Sequence, residues 1–157
     1  MSQSPPSDKR IDPSGFSIGV VAACYNEGLV ESLLEKVTAG ICENGQPAEI
    51  LVERVPGSHE IPCGINLMLN ARPFSCMIGL GVVIKGATSH HHLVAESAGN
   101  ALQSLSARHG VPIINGIIVT EDLVSAQERI IGDLDRGSEF ARAALEMAQL
   151  YEKWTKT

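Results

Sequence analysis

Residues 77–92 read MIGLGVVIKGATSHHH, and this stretch decides how the rest of the chain is read. Its first half is an apolar run of the length of a buried parallel strand. The run turns on Gly86, and small polar residues with three histidines follow at an expected helix start. A strand end feeding a helix N-terminus is where open α/β sheets hold their ligands. The bare N–H groups of that first helical turn suit an anion. A substrate phosphate and a histidine are therefore expected to meet here.

The flanking sequence repeats the pattern. Upstream, residues 16–24 (FSIGVVAAC) form a near-continuous apolar run, a first strand, broken by Tyr25-Asn26-Glu27-Gly28. Leu29, Leu33, Leu34, Val37 and Ile41 then recur at helical spacing up to Gly45. Residues 48–55 give a shorter and more polar second strand. Pro56-Gly57-Ser58 is a turn, and His59 and Glu60 precede Ile61-Pro62, which opens a helix to about Ala71. The third strand is expected over 75–84 and the third helix over 89–109, closed by Gly110. Downstream, residues 111–120 (VPIINGIIVT) make a fourth strand. Glu121 and Asp122 suit the start of a short helix through Arg129. Gly132 and Gly137 read as loop punctuation before a C-terminal amphipathic helix carrying Phe140, Ala144, Leu145, Ala148 and Leu150 and ending near Trp154.

Strands alternating with helices imply a parallel sheet covered on both faces. With right-handed crossovers the expected fold is α/β, a flavodoxin-like three-layer αβα sandwich on a four-stranded parallel sheet. Residues 1–15 (MSQSPPSDKRIDPSG), rich in Ser and Pro, read as a flexible arm, and 16–157 as a single domain. A sheet this narrow with such apolar segments implies subunit contacts.

Composition excludes several partners. The chain has 157 residues, a net charge of −6, 44% hydrophobic and 19% charged residues, which fits one globular domain with a real core. No basic tract is available to neutralise a polyanion. Aromatics at 4% give no stacking platform for single-stranded nucleic acid. No apolar run spans a bilayer, and the N-terminus is polar rather than signal-like, so a cytoplasmic location is expected. Cys24, Cys42, Cys63 and Cys76 form no C-x-x-C pair, and reduced, structural thiols are expected. Buried packing is the expectation for Cys76 and also for Cys24.

The candidate site residues each have a plain alternative. Gly86-Ala87-Thr88-Ser89 lacks the Walker and dinucleotide spacings, so on its own it is a weak anion signal beside a tight turn with a Ser cap. Adjacent helical residues point about 100° apart. His90, His91 and His92 are thus a poor set for one ion, and no Cys or carboxylate pattern completes a zinc site. One histidine carrying protons with two on the surface is the expectation. Glu60 is either an acceptor for a polyol or a solvated acid at a helix start. Arg129 is either a surface ion-pair partner or a phosphate clamp.

Five motifs in order carry a resemblance: Tyr25-Asn26-Glu27; residues 55–62, VPGSHEIP; residues 81–90, GVVIKGATSH; residues 110–114, GVPII; and Gln127-Glu128-Arg129. Together they resemble the 6,7-dimethyl-8-ribityllumazine synthase family, over about residues 16–150. That family condenses 5-amino-6-(D-ribitylamino)uracil with 3,4-dihydroxy-2-butanone 4-phosphate, releasing phosphate and water, in the penultimate step of riboflavin biosynthesis. The resemblance implies no cofactor and no metal, a functional link to riboflavin synthase, and assembly as a homopentamer or a sixty-subunit icosahedral shell. It assigns the ribitylaminouracil to Tyr25, Asn26, Ser58, His59, Glu60, Val83, Ile84 and Asn115, with Tyr25 stacking on the ring. Val83 and Ile84 would pair with the ring edge through their backbone, and Ser58 and Glu60 would hold the ribityl hydroxyls. The phosphate falls to Gly86, Ala87, Thr88 and Arg129, the last from a neighbouring subunit, and proton transfer to His90. Lys85 and Arg136 are further candidates, Arg136 standing for the family's lysine.

The chain departs from that family in places. His59 stands where an aromatic is usual, Asn115 where the fourth strand often has Phe, and His92 where Asp is frequent. The loop at 132–137 is about one residue short. A more polar pocket is implied, and the Pro-rich arm with the short loop favours a free pentamer over a shell. The alternative from another class is a weakly catalytic paralogue acting as a shell protein or a lumazine or flavin binder. An archaeal-type riboflavin synthase shares the architecture but fits the GATSH stretch less well.

Overall fold

A computed structural model describes residues 10–86 and 90–156. Four strands, β1 (Ser17–Ala23), β2 (Glu49–Val55), β3 (Cys76–Ile84) and β4 (Ile113–Thr120), form one parallel sheet in the order β2-β1-β3-β4. Helices α1 (Glu27–Cys42), α2 (Ile61–Ala71), α3 (His90–His109), α4 (Leu123–Ile130) and α5 (Arg136–Thr155) cover it. This is the α/β sandwich expected from the strand-helix alternation.

The apolar runs of β1 and β3 are continuous because both of their faces are buried. On β1, Ile18, Val20 and Ala22 point into a cluster with α1, α4 and α5, where Leu33, Val37, Ala126, Ala144 and Ala148 are buried. Val21 and Ala23 point the other way, among Ile61, Ile65 and Leu102 of α2 and α3. Each fully buried aliphatic side chain of this kind contributes about 1.5–3 kcal/mol relative to exposure. β2 is an outer strand with Val52, Glu53 and Arg54 exposed, which explains its polar sequence.

Two details differ from expectation. Gly137 does not punctuate a loop; it is buried in the first turn of α5, where an added Cβ would stand 2.5 Å from Lys36 Cβ on α1. The helix starts that early because Asp135 caps it, accepting from the Ser138 N–H at 3.4 Å and from its hydroxyl at 2.7 Å. Of the expected N-terminal arm, Ile11 and Pro13 are buried, and Ile11 joins the α1–α5 core.

The cysteines divide by burial. Cys76 is buried, and loss of solvation pushes its thiol up to about 12, only partly offset by a backbone hydrogen bond at Met77. Cys24, contrary to expectation, is exposed where β1 ends. Alkylation of the native protein at pH 8 is therefore expected to label Cys24 and Cys63, both exposed, and to spare Cys76 until denaturant is added. Peptide mass spectrometry reads this directly, and early labelling of Cys76 would contradict the packing described.

Candidate active site

The sheet order places a crevice between β1 and β3. After β2 the chain crosses back over β1 to lay down β3, so the connections leaving β1 and β3 diverge to opposite sides. Ligands in open α/β sheets lie in that position, beyond the carboxyl ends of the strands. β1 pairs with β3 only as far as Ala22↔Leu80, while β3 continues beside β4 to Ile84↔Thr120. Residues 82–84 thus outrun β1 and border an open cleft.

That cleft has a volume of about 490 Å³. Of the residues singled out in the sequence, Tyr25, Asn26, Ser58, His59, Glu60, Val83, Ile84, Gly86 and His90 all line it. They come from four separate segments, after β1, after β2, at the end of β3 and at the start of α3. Gly57, Val82, His91 and Val94 also line it, without having been anticipated. A larger hollow of about 610 Å³ lies elsewhere, between Arg10, Gly40 and Arg142, and contains none of the motif residues.

Local chemistry explains the positions. Asn26 takes a left-handed conformation, φ 56°, which Asn tolerates better than most residues. From there its amide donates to the Val82 carbonyl at 2.8 Å, tying the β1–α1 turn to the free edge of β3. Asn26→Ala removes that bond and the left-handed tolerance together and is expected to cost about 2 kcal/mol. Asn26→Gly keeps the conformation and should cost about half of that in chemical denaturation. Equal losses in the two variants would show that the backbone conformation does not matter.

Tyr25 extends from the turn and is 73% exposed, with its ring beside Gly57. The segment after β2 continues as a single 3₁₀ turn, Ser58–Glu60, before α2. Ser58 is 3% exposed, and its hydroxyl has no hydrogen-bond partner among the described residues. A buried hydroxyl left without a partner costs free energy, and this one borders the cleft. It packs against Gly81 of β3 so closely that an added Cβ there would collide with Ser58 Oγ. His59 Nε2 lies 3.3 Å from Ser97 Oγ of α3, and its Nδ1 lies 3.8 Å from a Glu60 carboxylate oxygen.

The histidines correct the sequence reading. His90 is exposed at the start of α3, but His91 is buried rather than on the surface. Ala98 and Leu102, also buried, follow His91 at seven and eleven residues, a helical stripe that could have identified it. Its ring lies 4.0 Å from that of His92, centroid to centroid. A carboxylate does approach this pair: Glu121, at the end of β4, offers a ligand atom within 4.8 Å of those of His91 and His92. Glu121 is also held by Lys85, Nζ to oxygen 2.6 Å. That lysine, through its hydrogen bond and charge, keeps the Glu121 carboxyl below the usual carboxylate range.

Asn115, Arg129 and Arg136 do not line that cleft. Asn115 is exposed on β4 in register with Gly79, well before the strand's carboxyl end, and its side chain accepts from the Ile117 N–H at 3.1 Å. Arg129, half-buried on α4, donates to the Ser125 carbonyl at 2.9 Å. Arg136 pairs with Glu139 within α5. Ala87 and Thr88 lie outside the described residues.

Comparison with known proteins then decides the relationship. The family model described as 6,7-dimethyl-8-ribityllumazine synthase matches residues 15–152. The chain belongs to that family. A 6,7-dimethyl-8-ribityllumazine synthase from a Polaromonas species is 34% identical over 148 residues, covering 94% of each chain. The protein of that name from Nitrosomonas europaea is 36% identical, covering 91% of this chain and 86% of its own, and one from an Azoarcus species is 35% identical, covering 91% and 90%. The lumazine synthase match thus takes in all four strands and every segment that lines the cleft.

Proposed function

We propose that this chain condenses 5-amino-6-(D-ribitylamino)uracil with 3,4-dihydroxy-2-butanone 4-phosphate to 6,7-dimethyl-8-ribityllumazine, releasing phosphate and water. Family membership over 138 of 157 residues, 15 through 152, carries the reading. The cleft supports it. A flat ring fits between exposed Tyr25 and the edge of β3 that outruns β1, where the Val83 and Ile84 backbone pairs with the pyrimidine edge. The orphan hydroxyl of Ser58 and the carboxylate of Glu60 take the ribityl hydroxyls, which replace the missing hydrogen bond.

Imine formation, phosphate loss and ring closure are successive proton movements, and a histidine titrating near neutrality serves both directions. His90 lines the cleft, which supports giving it this role. Gly86, Ala87 and Thr88 form the phosphate loop, with Lys85 beside it. Much of the rate then comes from holding two substrates together in a fixed orientation.

The site is completed by a neighbour. Asn115, Arg129 and Arg136 lie apart from their own cleft, and the proposal places Arg129 of one chain at the phosphate loop of the next, in a homopentamer. Exposed apolar side chains along α4 and the segment after it, Leu123, Val124, Ile131 and Leu134, support burial against another subunit. A free pentamer, rather than a sixty-subunit shell, is the proposed assembly. No helix among the described residues is long and apolar enough to cross a membrane, and the cytoplasm, with product passing to riboflavin synthase, is the proposed setting.

The test is to mix purified protein with both substrates and follow lumazine absorbance. Turnover that requires both compounds is expected. No turnover alongside tight lumazine binding would favour a binding protein instead. Sedimentation should give the mass of a pentamer, and a stable active monomer would refute the shared site.

A further inference from the structure

His91, His92 and Glu121 bring two imidazoles and one carboxylate to the junction of α3 and the end of β4, with ligand atoms within 4.8 Å of one another. We propose that this trio is a binding site for a divalent transition-metal ion, in which the ion competes with Lys85 for the Glu121 carboxylate.

The donor set fits such an ion. Two histidines and one carboxylate are borderline ligands that suit zinc, nickel or copper better than calcium or magnesium. With bonds of about 2.0–2.1 Å in tetrahedral geometry, neighbouring ligand atoms stand about 3.3 Å apart. The widest pair here, within 4.8 Å, therefore has to close by at most about 1.5 Å. His92 and Glu121 are both exposed and can swing inward, while His91, buried in the first turn of α3, supplies a fixed point. The two rings are already in contact at 4.0 Å, so the splay of neighbouring helical residues is largely taken up by their side-chain torsions.

Two features set the strength and meaning of binding. The helix N-terminus repels a cation, which weakens the site relative to a closed structural one. Lys85 occupies the Glu121 oxygen at 2.6 Å, so the ion has to displace an ammonium group. Glu121, an exposed carboxylate, is ionised at neutral pH and has no proton to lose to the metal. Binding would detach Lys85 from Glu121 and leave its charge free at the strand end that leads into Gly86.

Untagged full-length protein, stripped with chelator, is titrated with zinc by calorimetry at fixed neutral pH. Cobalt is used in parallel for its visible spectrum. About one ion per chain is expected. His92→Ala and Glu121→Gln, both exposed changes whose folding is checked by circular dichroism, should each weaken binding at least about tenfold. Lys85→Ala removes the competitor and should tighten binding about 1.5- to fivefold, the range that an exposed ion pair spans. Zinc affinity unchanged by Glu121→Gln would assign the ion to surface histidines and overturn the proposal. So would weaker binding in Lys85→Ala, or the absence of any binding.

Discussion

Gly81→Ala is expected to lower kcat/KM by about a hundredfold, the scale that a misplacement of about one ångström can cost. The cause is steric. A Cβ at position 81 would collide with Ser58 Oγ and stand 3.2 Å from both Ser58 Cβ and Ile61 Cδ1. β3 cannot yield, because Gly81 is paired with Ile117 across a full ladder to β4. The 3₁₀ turn must move instead, and it carries Ser58, His59 and Glu60 together. Overpacking of this kind costs about 1–3 kcal/mol of stability, so the protein should still fold. Gly28→Ala, in α1 with nothing within 4 Å of the added carbon, is the matched control. Unaltered kinetics in Gly81→Ala would show that the turn's position is unimportant.

His90→Ala is expected to slow turnover by about a hundredfold, the low end of what a positioned acid–base group contributes, without abolishing it. The residual rate comes from juxtaposing the substrates, which needs no proton carrier. His90 is exposed, and exposed substitutions of this sort change stability by less than about 0.5 kcal/mol. The loss should therefore appear in kcat with the thermal midpoint unchanged. Added imidazole should recover part of it. Full activity in the variant would remove His90 from the proposed mechanism.

Much of this was legible in the sequence because each strand is bounded by its own punctuation. Ile61-Pro62 fixes the start of α2 at the residue where it occurs, and the 16–24 run contains all of β1. The motif residues after β1, β2 and β3 converge because a parallel sheet puts all of those ends on one side. What stayed hidden depends on long-range register or on packing. Glu121 reaches the histidines because Ile84 and Thr120 are paired, which no local signal conveys. The conflict between Gly81 and the Ser58 hydroxyl exists only once the turn lies on β3. Gly137 looked like a break, since glycine usually is one, whereas here it allows α5 to approach α1. Cys24 ends an apolar run but falls past the last buried residue, Ala23. Asn115, Arg129 and Arg136 do not line the cleft, and each bonds within its own strand or helix instead.

The central claim is that the cleft beyond β1 and β3 holds the ribityl-bearing substrate. Steady-state kinetics of Glu60→Gln, with each substrate varied in turn, tests it most directly. Glu60 lines that cleft, and the change keeps its shape while removing the charge that strengthens hydrogen bonds to hydroxyls. The KM for ribitylaminouracil should rise about tenfold, the value of one charge-assisted hydrogen bond, while the KM for the butanone phosphate stays the same. An unchanged KM for ribitylaminouracil, or a shift in the butanone phosphate KM instead, would contradict the account.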